Sequence, residues 1–206
     1  MYIPSGFQIT DAATIHSFMK KYSFVTIIGN SAAGMEAAHV PVMLHPESNQ
    51  ISFHVAAANP ISKIFETDPN VLVIFQGPHA YISPRWYAQP HVPTWNYTSI
   101  HVYGSVRKIS DPEEVQADLR LLVSAHDTGS FSEELFTGKK LELVNKLAPA
   151  ITGYRIEIQD IQAKFKLSQN RDPESIKNVI DELSTSLIEA DRDLGIFMQA
   201  YYEGRK

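Results

Sequence analysis

The stretch Asn96-Tyr-Thr-Ser-Ile-His-Val-Tyr-Gly-Ser-Val-Arg-Lys-Ile109 decides how this chain folds. Its side chains alternate. Thr98, Ile100, Val102, Gly104 and Val106 fall on one face, and Tyr97, Ser99, His101, Tyr103 and Ser105 on the other. Successive strand residues point to opposite faces, so the pattern predicts one long strand. One face is apolar and small. The other is aromatic and polar without a charge, which predicts contact with a ligand or partner rather than water.

The surroundings of this strand are equally poor in charge. From Val71 to Val106 the one charged residue is Arg85, while both tryptophans, Trp86 and Trp95, and the histidines His79, His91 and His101 lie there. Residues 1–106 carry four basic and five acidic side chains; the remaining 100 carry 14 and 18. A segment so depleted in charge is expected to be buried in a barrel or against a partner or ligand. A paired or ligand-facing place is expected for Arg85.

Further strands are predicted at Ser23–Ile28, Ala37–Leu44, Ile51–Val55, Val71–Phe75 (continuing through Ala80–Ser83) and Ile151–Gln159. Gly29–Gly34 reads as a Gly/Asn/Ser loop, and Pro84, Pro90 and Pro93 mark an irregular one. Helices are announced by caps: Thr10-Asp11, Asn59-Pro60, Asp111-Pro112 and Asp172-Pro173, with another helix over Ser132–Lys146. Short strands with helical insertions, not alternating βαβ units, predict an α+β, mainly β fold: a small antiparallel β-barrel with helical additions. The domain is expected to span 1–170, with a helical insertion at about 111–146 and a C-terminal helical extension at 171–206.

Composition bounds the chemistry. With 206 residues, 44% hydrophobic, and a net charge of −5, the chain is neither disordered nor broadly attracted to nucleic acid. No apolar run nears the ~18 residues of a membrane span. Met1–Phe7 lacks a basic and apolar leader, so a cytoplasmic location is expected. Zero cysteines exclude disulfides and thiolate chemistry. There are eight histidines, but their spacing does not fit a metal site, and none is expected. No G-x-S-x-G elbow, Walker loop or dinucleotide fingerprint occurs, and no catalytic residue is assigned.

The best local case for a ligand is Asn59-Pro-Ile-Ser-Lys63. The first turn of a helix leaves N–H groups unpaired, which suits phosphate, and Ser62 and Lys63 add a hydroxyl and a charge.

Several longer motifs resemble one family. Phe75-Gln-Gly-Pro-His-Ala-Tyr-Ile-Ser-Pro-Arg-Trp-Tyr87, Val92-Pro-Thr-Trp-Asn-Tyr97, Lys166-Leu-Ser-Gln-Asn-Arg171, Glu36-Ala-Ala-His-Val-Pro41 and Ala58-Asn-Pro60 are similar to the PaiB family. The resemblance covers Met1 to about Asp181. Its members are described as FMN-binding negative transcriptional regulators, linked in bacilli to sporulation and degradative-enzyme synthesis. It implies an FMN-binding split β-barrel and a homodimer with flavin at the interface. It further implies flavin phosphate near Ala58–Lys63, hence Asn59, Ser62 and Lys63. On their own chemistry His79, Arg85, Trp86 and Trp95 are further candidate cofactor contacts, with a core or dimer contact an equal alternative for the two tryptophans. Lys166, Gln169 and Arg171 match an Arg-Leu-His-x-Arg segment with which pyridoxamine-phosphate oxidases touch substrate and flavin. Lys166 replaces the arginine and Ser168 stands near the histidine, so that oxidation is not expected here.

Two readings stay open. In one, the protein is a repressor acting as a homodimer through FMN, another small molecule or a partner. The C-terminal helices carry four basic and eight acidic side chains, which argues against direct DNA reading. In the other, it is an FMN-dependent oxidoreductase whose chemistry the cofactor supplies, with His79, Arg85 and His101 as tuning groups.

Overall fold

A computed structural model describes residues 1–32, 34–127 and 134–204. The chain divides into two units: Met1–Phe18, Gln76–Ile100 and Gln162–Lys206 form the first, Met19–Phe75 and His101–Ile161 the second. It passes between them within the helix α1 (Ala12–Lys21) and within the strands β6 (Asn70–Ile82), β7 (Thr94–Lys108) and β8 (Ile151–Lys166).

The second unit also contains β2 (Phe24–Ser31), β3 (Gly34–Pro41), β4 (Met43–His45) and β5 (Gln50–Ala56). The strands follow the order β3-β2-β6-β7-β8-β5-β4. Pairing is antiparallel, with Ile27 opposite Val73, Phe53 opposite Tyr154, and Ser52 opposite Arg155. Alternation then sorts the side chains. Val25, Ile27, Ile51, Phe53, Val55, Val71, Val73, Val102, Val106, Tyr154 and Ile156 are buried on the inner face. The helix α2 (Ile61–Thr67) adds Phe65, whose ring lies 6.1 Å from Phe53 and 5.1 Å from Tyr154.

The outer face carries Ser52, His54, Gly153 and Arg155, and α3 (Pro112–His126) covers it. A Cβ on Gly153 would stand 2.9 Å from Val115 of α3, so glycine there lets the helix approach. Gly104 is tighter: a Cβ would meet the Glu157 carbonyl oxygen at 2.4 Å. The helix α4 (Gly138–Leu147) follows.

In the first unit the short strand β1 (Gln8–Ile9) pairs with the end of β8, Gln8 opposite Lys164. The helices α5 (Pro173–Ser184) and α6 (Glu189–Glu203) bury Val179, Leu183, Leu194 and Met198 completely. The Phe165 ring stands 4.9 Å from Phe18 and 5.4 Å from Phe197. These acidic helices are therefore half of a core, as well as a solvated cover.

Several local expectations need correction. Gly29–Gly34 is not a loop but the tip of a hairpin, with Ser31 opposite Gly34; backbone pairing there overrides the turn-like composition. Ala37–Leu44 breaks at Val42, whose buried side chain accompanies an N–H donated to the Ser23 carbonyl. Of the helix expected over Ser132–Lys146, Ser132 and Glu133 lie outside the described residues, and α4 starts at Gly138 with φ +51°. β6 runs unbroken through Gly77-Pro78.

Gly104→Ala is expected to lower stability by about 1–3 kcal/mol or more, because the clash is with backbone. Gly6→Ala, where an added Cβ meets nothing within 4 Å, should be near neutral. Urea unfolding of both variants checks this; equal midpoints would contradict the packing described.

Candidate functional site

In the first unit the strands β6 and β7 place aromatic side chains on one face. The Trp95 ring lies 6.3 Å from both His79 and Tyr81. Beyond β6, Pro84-Arg85-Trp86 makes one 3-10 turn because the Ser83 hydroxyl accepts the Arg85 N–H. The result is an open groove of about 680 Å³ lined by His79, Tyr81, Arg85, Trp86, Trp95 and Asp191. Four sequence-predicted residues thus come together. They are not buried, however: His79 and Arg85 are exposed, and Trp95 is 55% exposed. Arg85 has no ion pair among the described residues; its Nε donates to Ser83 Oγ at 3.4 Å. Much of this charge-poor segment is buried within the chain as expected, Phe75, Ile82, Asn96 and Ile100 among it, but the groove residues are not. Tyr81 and Asp191 were not foreseen; Tyr81 could have been noticed from its i, i+2 spacing to His79 on one strand, whereas no local signal marks Asp191.

The end of β8 gathers Lys164, Lys166 and Arg171 in the same unit. Lys164 is buried and donates from Nζ to the Tyr2 carbonyl at 3.1 Å. Lys166 donates to Thr94 Oγ1. Arg171 lies 5.3 Å over the Tyr87 ring. Gln169 is engaged at both ends of its amide, accepting from the Leu167 N–H at 2.6 Å and donating to the Phe165 carbonyl. Lys164 could have been noticed from its i, i+2 spacing to Lys166 on a strand.

Asn59, Ser62 and Lys63 belong to the second unit. Asn59 caps α2 as expected, its Oδ1 accepting the Ile61 N–H at 3.0 Å. The expectation of free first-turn N–H groups fails. Ser62 N–H donates to the Asn59 carbonyl at 3.2 Å and Lys63 N–H to the Pro60 carbonyl at 3.1 Å. What remains is side-chain chemistry. Ser62 Oγ is buried with no hydrogen-bond partner, and the neighbouring Lys63 is exposed without a carboxylate partner among the described residues. A buried hydroxyl lacking a partner is costly, and it is a donor that a phosphate oxygen would satisfy.

The outer face of the second unit holds a network that sequence reading missed. Arg155, 8% exposed, donates from Nη2 to Glu114 at 2.8 Å and Asp118 at 2.9 Å, both on α3. His45 Nε2 is 2.8 Å from Ser52 Oγ and 3.4 Å from Asp118 Oδ1. Hydroxyl and acid meet the same ring nitrogen, whereas a hydrolytic triad puts them on opposite nitrogens. The network fastens a helix; it is not a nucleophile. Burial first, then Arg155, holds the His45 pKa below the usual imidazole value; burial also lowers His54 and His101.

The family described as "Putative FMN-binding domain" matches residues 1–160. The chain belongs to it. Within the PaiB family, "Protease synthase and sporulation protein PAI 2" of Bacillus subtilis is 36% identical over 185 residues, covering 89% of each chain. Among solved structures, the flavocytochrome Anf3 from Azotobacter vinelandii is similar with a TM-score of 0.63 at 14% identity, over 83% of this chain and 75% of that one. An FAD- and haem-binding protein from Mycobacterium smegmatis gives 0.63 at 12%, over 82% and 78%. At such identities these likenesses establish the fold, and it is the expected one: an α+β split barrel with C-terminal helices. No helix among the described residues is long and apolar enough to cross a membrane.

The three depressed histidines set a pH dependence. A pKa lowered in the folded state means the unfolded chain binds more protons, so their contribution is intact above the usual imidazole value and lost as pH falls below it. Stability is expected to fall between pH 6.5 and 5, by at most about 1.4 kcal/mol per pH unit for each histidine. Asp11 and Asp172 have lowered pKa values and matter only near and below the ordinary carboxylate range. Urea unfolding from pH 7.5 to 5 checks the slope, which His54→Gln should reduce; a flat profile would contradict it.

Proposed function

We propose that this protein binds FMN and acts as a PaiB-like negative regulator of transcription. The observation that carries the cofactor reading is the Ser62 hydroxyl, buried without a partner in the first turn of α2, where the next residue is the exposed Lys63. In a member of an FMN-binding family, this pair fits the flavin phosphate. Ser62 donates to a phosphate oxygen and Lys63 neutralises charge, while Asn59 keeps α2 in place through its cap. FMN when bound supplies a redox-active ring. The residues described here only hold and orient it.

The regulatory reading rests on similarity to PAI 2 and on the missing catalytic constellation. Charge argues that repression runs through a ligand, a partner or a second copy. From Asp172 onward there are eight acidic and four basic side chains, and groove-reading helices need the opposite balance. Exposed Trp95 and Tyr81 are the residue types that anchor protein interfaces, which supports a homodimer.

A sizing column with visible detection tests the reading. Wild-type protein should emerge as a dimer carrying a flavin band. Lys63→Ala should lose about tenfold in FMN affinity. Ser62→Ala should weaken FMN similarly yet leave the flavin-free protein as stable or more stable, because it removes a polar group that lacks a partner. No retained FMN would sink the cofactor reading. Rapid bleaching of bound flavin by NADH or NADPH would favour an oxidoreductase. A salt-sensitive, sequence-specific DNA complex of the protein alone would overturn the indirect mode.

A further inference from the structure

His54 stands where a positive charge would find no partner. It lies on the outer face of β5, opposite Gly153 of β8, under the helix α3. A cavity of about 20 Å³ beside it is lined by Met43, Ile109, Val115, Asp118, Leu119 and Leu122, which leaves room for about one water. The imidazole is half-buried and makes no hydrogen bond among the described residues. Asp118 is the one acid lining that cavity, and both of its oxygens are in use. Oδ2 accepts from Arg155 at 2.9 Å, and Oδ1 is 3.4 Å from His45 Nε2. The other ionisable groups packed at this face are His45 on β4, Arg155 on β8 and Glu114 on α3, and Arg155 also holds Glu114 at 2.8 Å. A neutral His54 fits such a place. A protonated one would lack a counter-ion and most of its hydration, and burial accordingly lowers its pKa.

Among the elements around His54, α3 is the one that can yield. β5 is paired to β4 on one side and to β8 on the other. No residue of α3 is buried, and its apolar stripe, Val115, Leu119 and Leu122, is only partly covered. What fastens the helix to the sheet is the Arg155 clasp and the close approach over Gly153. Its other ties lie within the same helical layer and travel with it: Arg120 over the Phe136 ring at 4.5 Å, and Gln116 donating to Asn145 of α4 at 3.1 Å. An element with so little buried apolar surface opens at a lower free energy than paired core strands do.

We infer that α3 is a pH-operated cover: charging His54 lifts the helix from β5 and β8 while the sheet beneath stays paired. The cover is closed above the ordinary imidazole range and opens as pH falls below it. The lifted state uncovers Ser52, His54 and the apolar stripe of α3, a surface the closed state does not present. This holds whether or not FMN binds. It also goes beyond the loss of global stability set out above, which requires no local opening.

Hydrogen exchange of the full chain, read by mass spectrometry at pH 7.5 and 5.5 and corrected for the intrinsic effect of pH, tests the inference. Peptides from Pro112–His126 should lose about tenfold in protection at pH 5.5, while peptides from β5 and β8 lose none. His54→Gln should keep α3 as protected at pH 5.5 as at 7.5, and His45→Gln should retain the wild-type response. A second measurement needs no variant: the His54 ring, followed by NMR, should titrate over the same pH interval in which α3 loses protection. Equal loss from α3 and the strands would mean global unfolding and overturn the proposal. So would unchanged protection of α3, a response that survives His54→Gln or vanishes with His45→Gln, or a His54 ring that titrates outside that interval.

Discussion

A strand turns successive side chains to opposite faces, and in the second unit this one constraint decides where everything else must go. The inner positions of β2, β5, β6, β7 and β8 are filled by Val, Ile, Phe and Tyr, and these make the core with Phe65 of α2. The outer positions then fall to Ser52, His54, Gly153 and Arg155, which one face of α3 must cover. Where strands approach most closely there is no room for a side chain at all, and Gly104 stands against the Glu157 carbonyl. A one-residue slip in register would bring Arg155 into the core and Phe53 to the outer face.

Charge is handled in two ways. On the outer face of the second unit, Arg155 is buried but paired with Glu114 and Asp118, so its desolvation is offset and the helix is fixed in place. In the first unit Lys164, Lys166 and Arg171 have aromatic rings, a carbonyl and a hydroxyl for company, and among the described residues no carboxylate within ion-pair reach.

The same fold occurs in proteins only 12 and 14% identical to this one, so the architecture alone does not select a ligand. The family is described as a putative FMN-binding domain, and that is the ground for the flavin mononucleotide proposed above. The chain's own residues must then say how it is held. In the reading proposed above, Ser62 and Lys63 are the residues assigned to the phosphate. The first unit separately holds an open groove whose Trp95 and Arg85 offer partly exposed surface.

Local chemistry was legible in the sequence. Asp11, Asn59, Asp111 and Asp172 each accept a backbone N–H two or three residues ahead, at 2.8, 3.0, 2.9 and 2.8 Å, because capping needs nothing beyond one turn of chain. The period of β7 identified its buried face for the same reason: Thr98, Ile100, Val102, Gly104 and Val106 are all buried. The motifs shared with PaiB fixed the family and, through it, the fold. Long-range pairing was not legible. Asp118 and Arg155 lie 37 positions apart, and nothing local distinguishes them from other surface charges. Nor could sequence reveal that the N–H groups opening α2 are already paired, that Gln169 is engaged with backbone, or that Arg85 is left exposed. Alternation, caps and family motifs are properties of neighbouring residues and are written along the chain. Which charges find partners and which do not depends on distances between remote segments, and those exist only once the chain has folded.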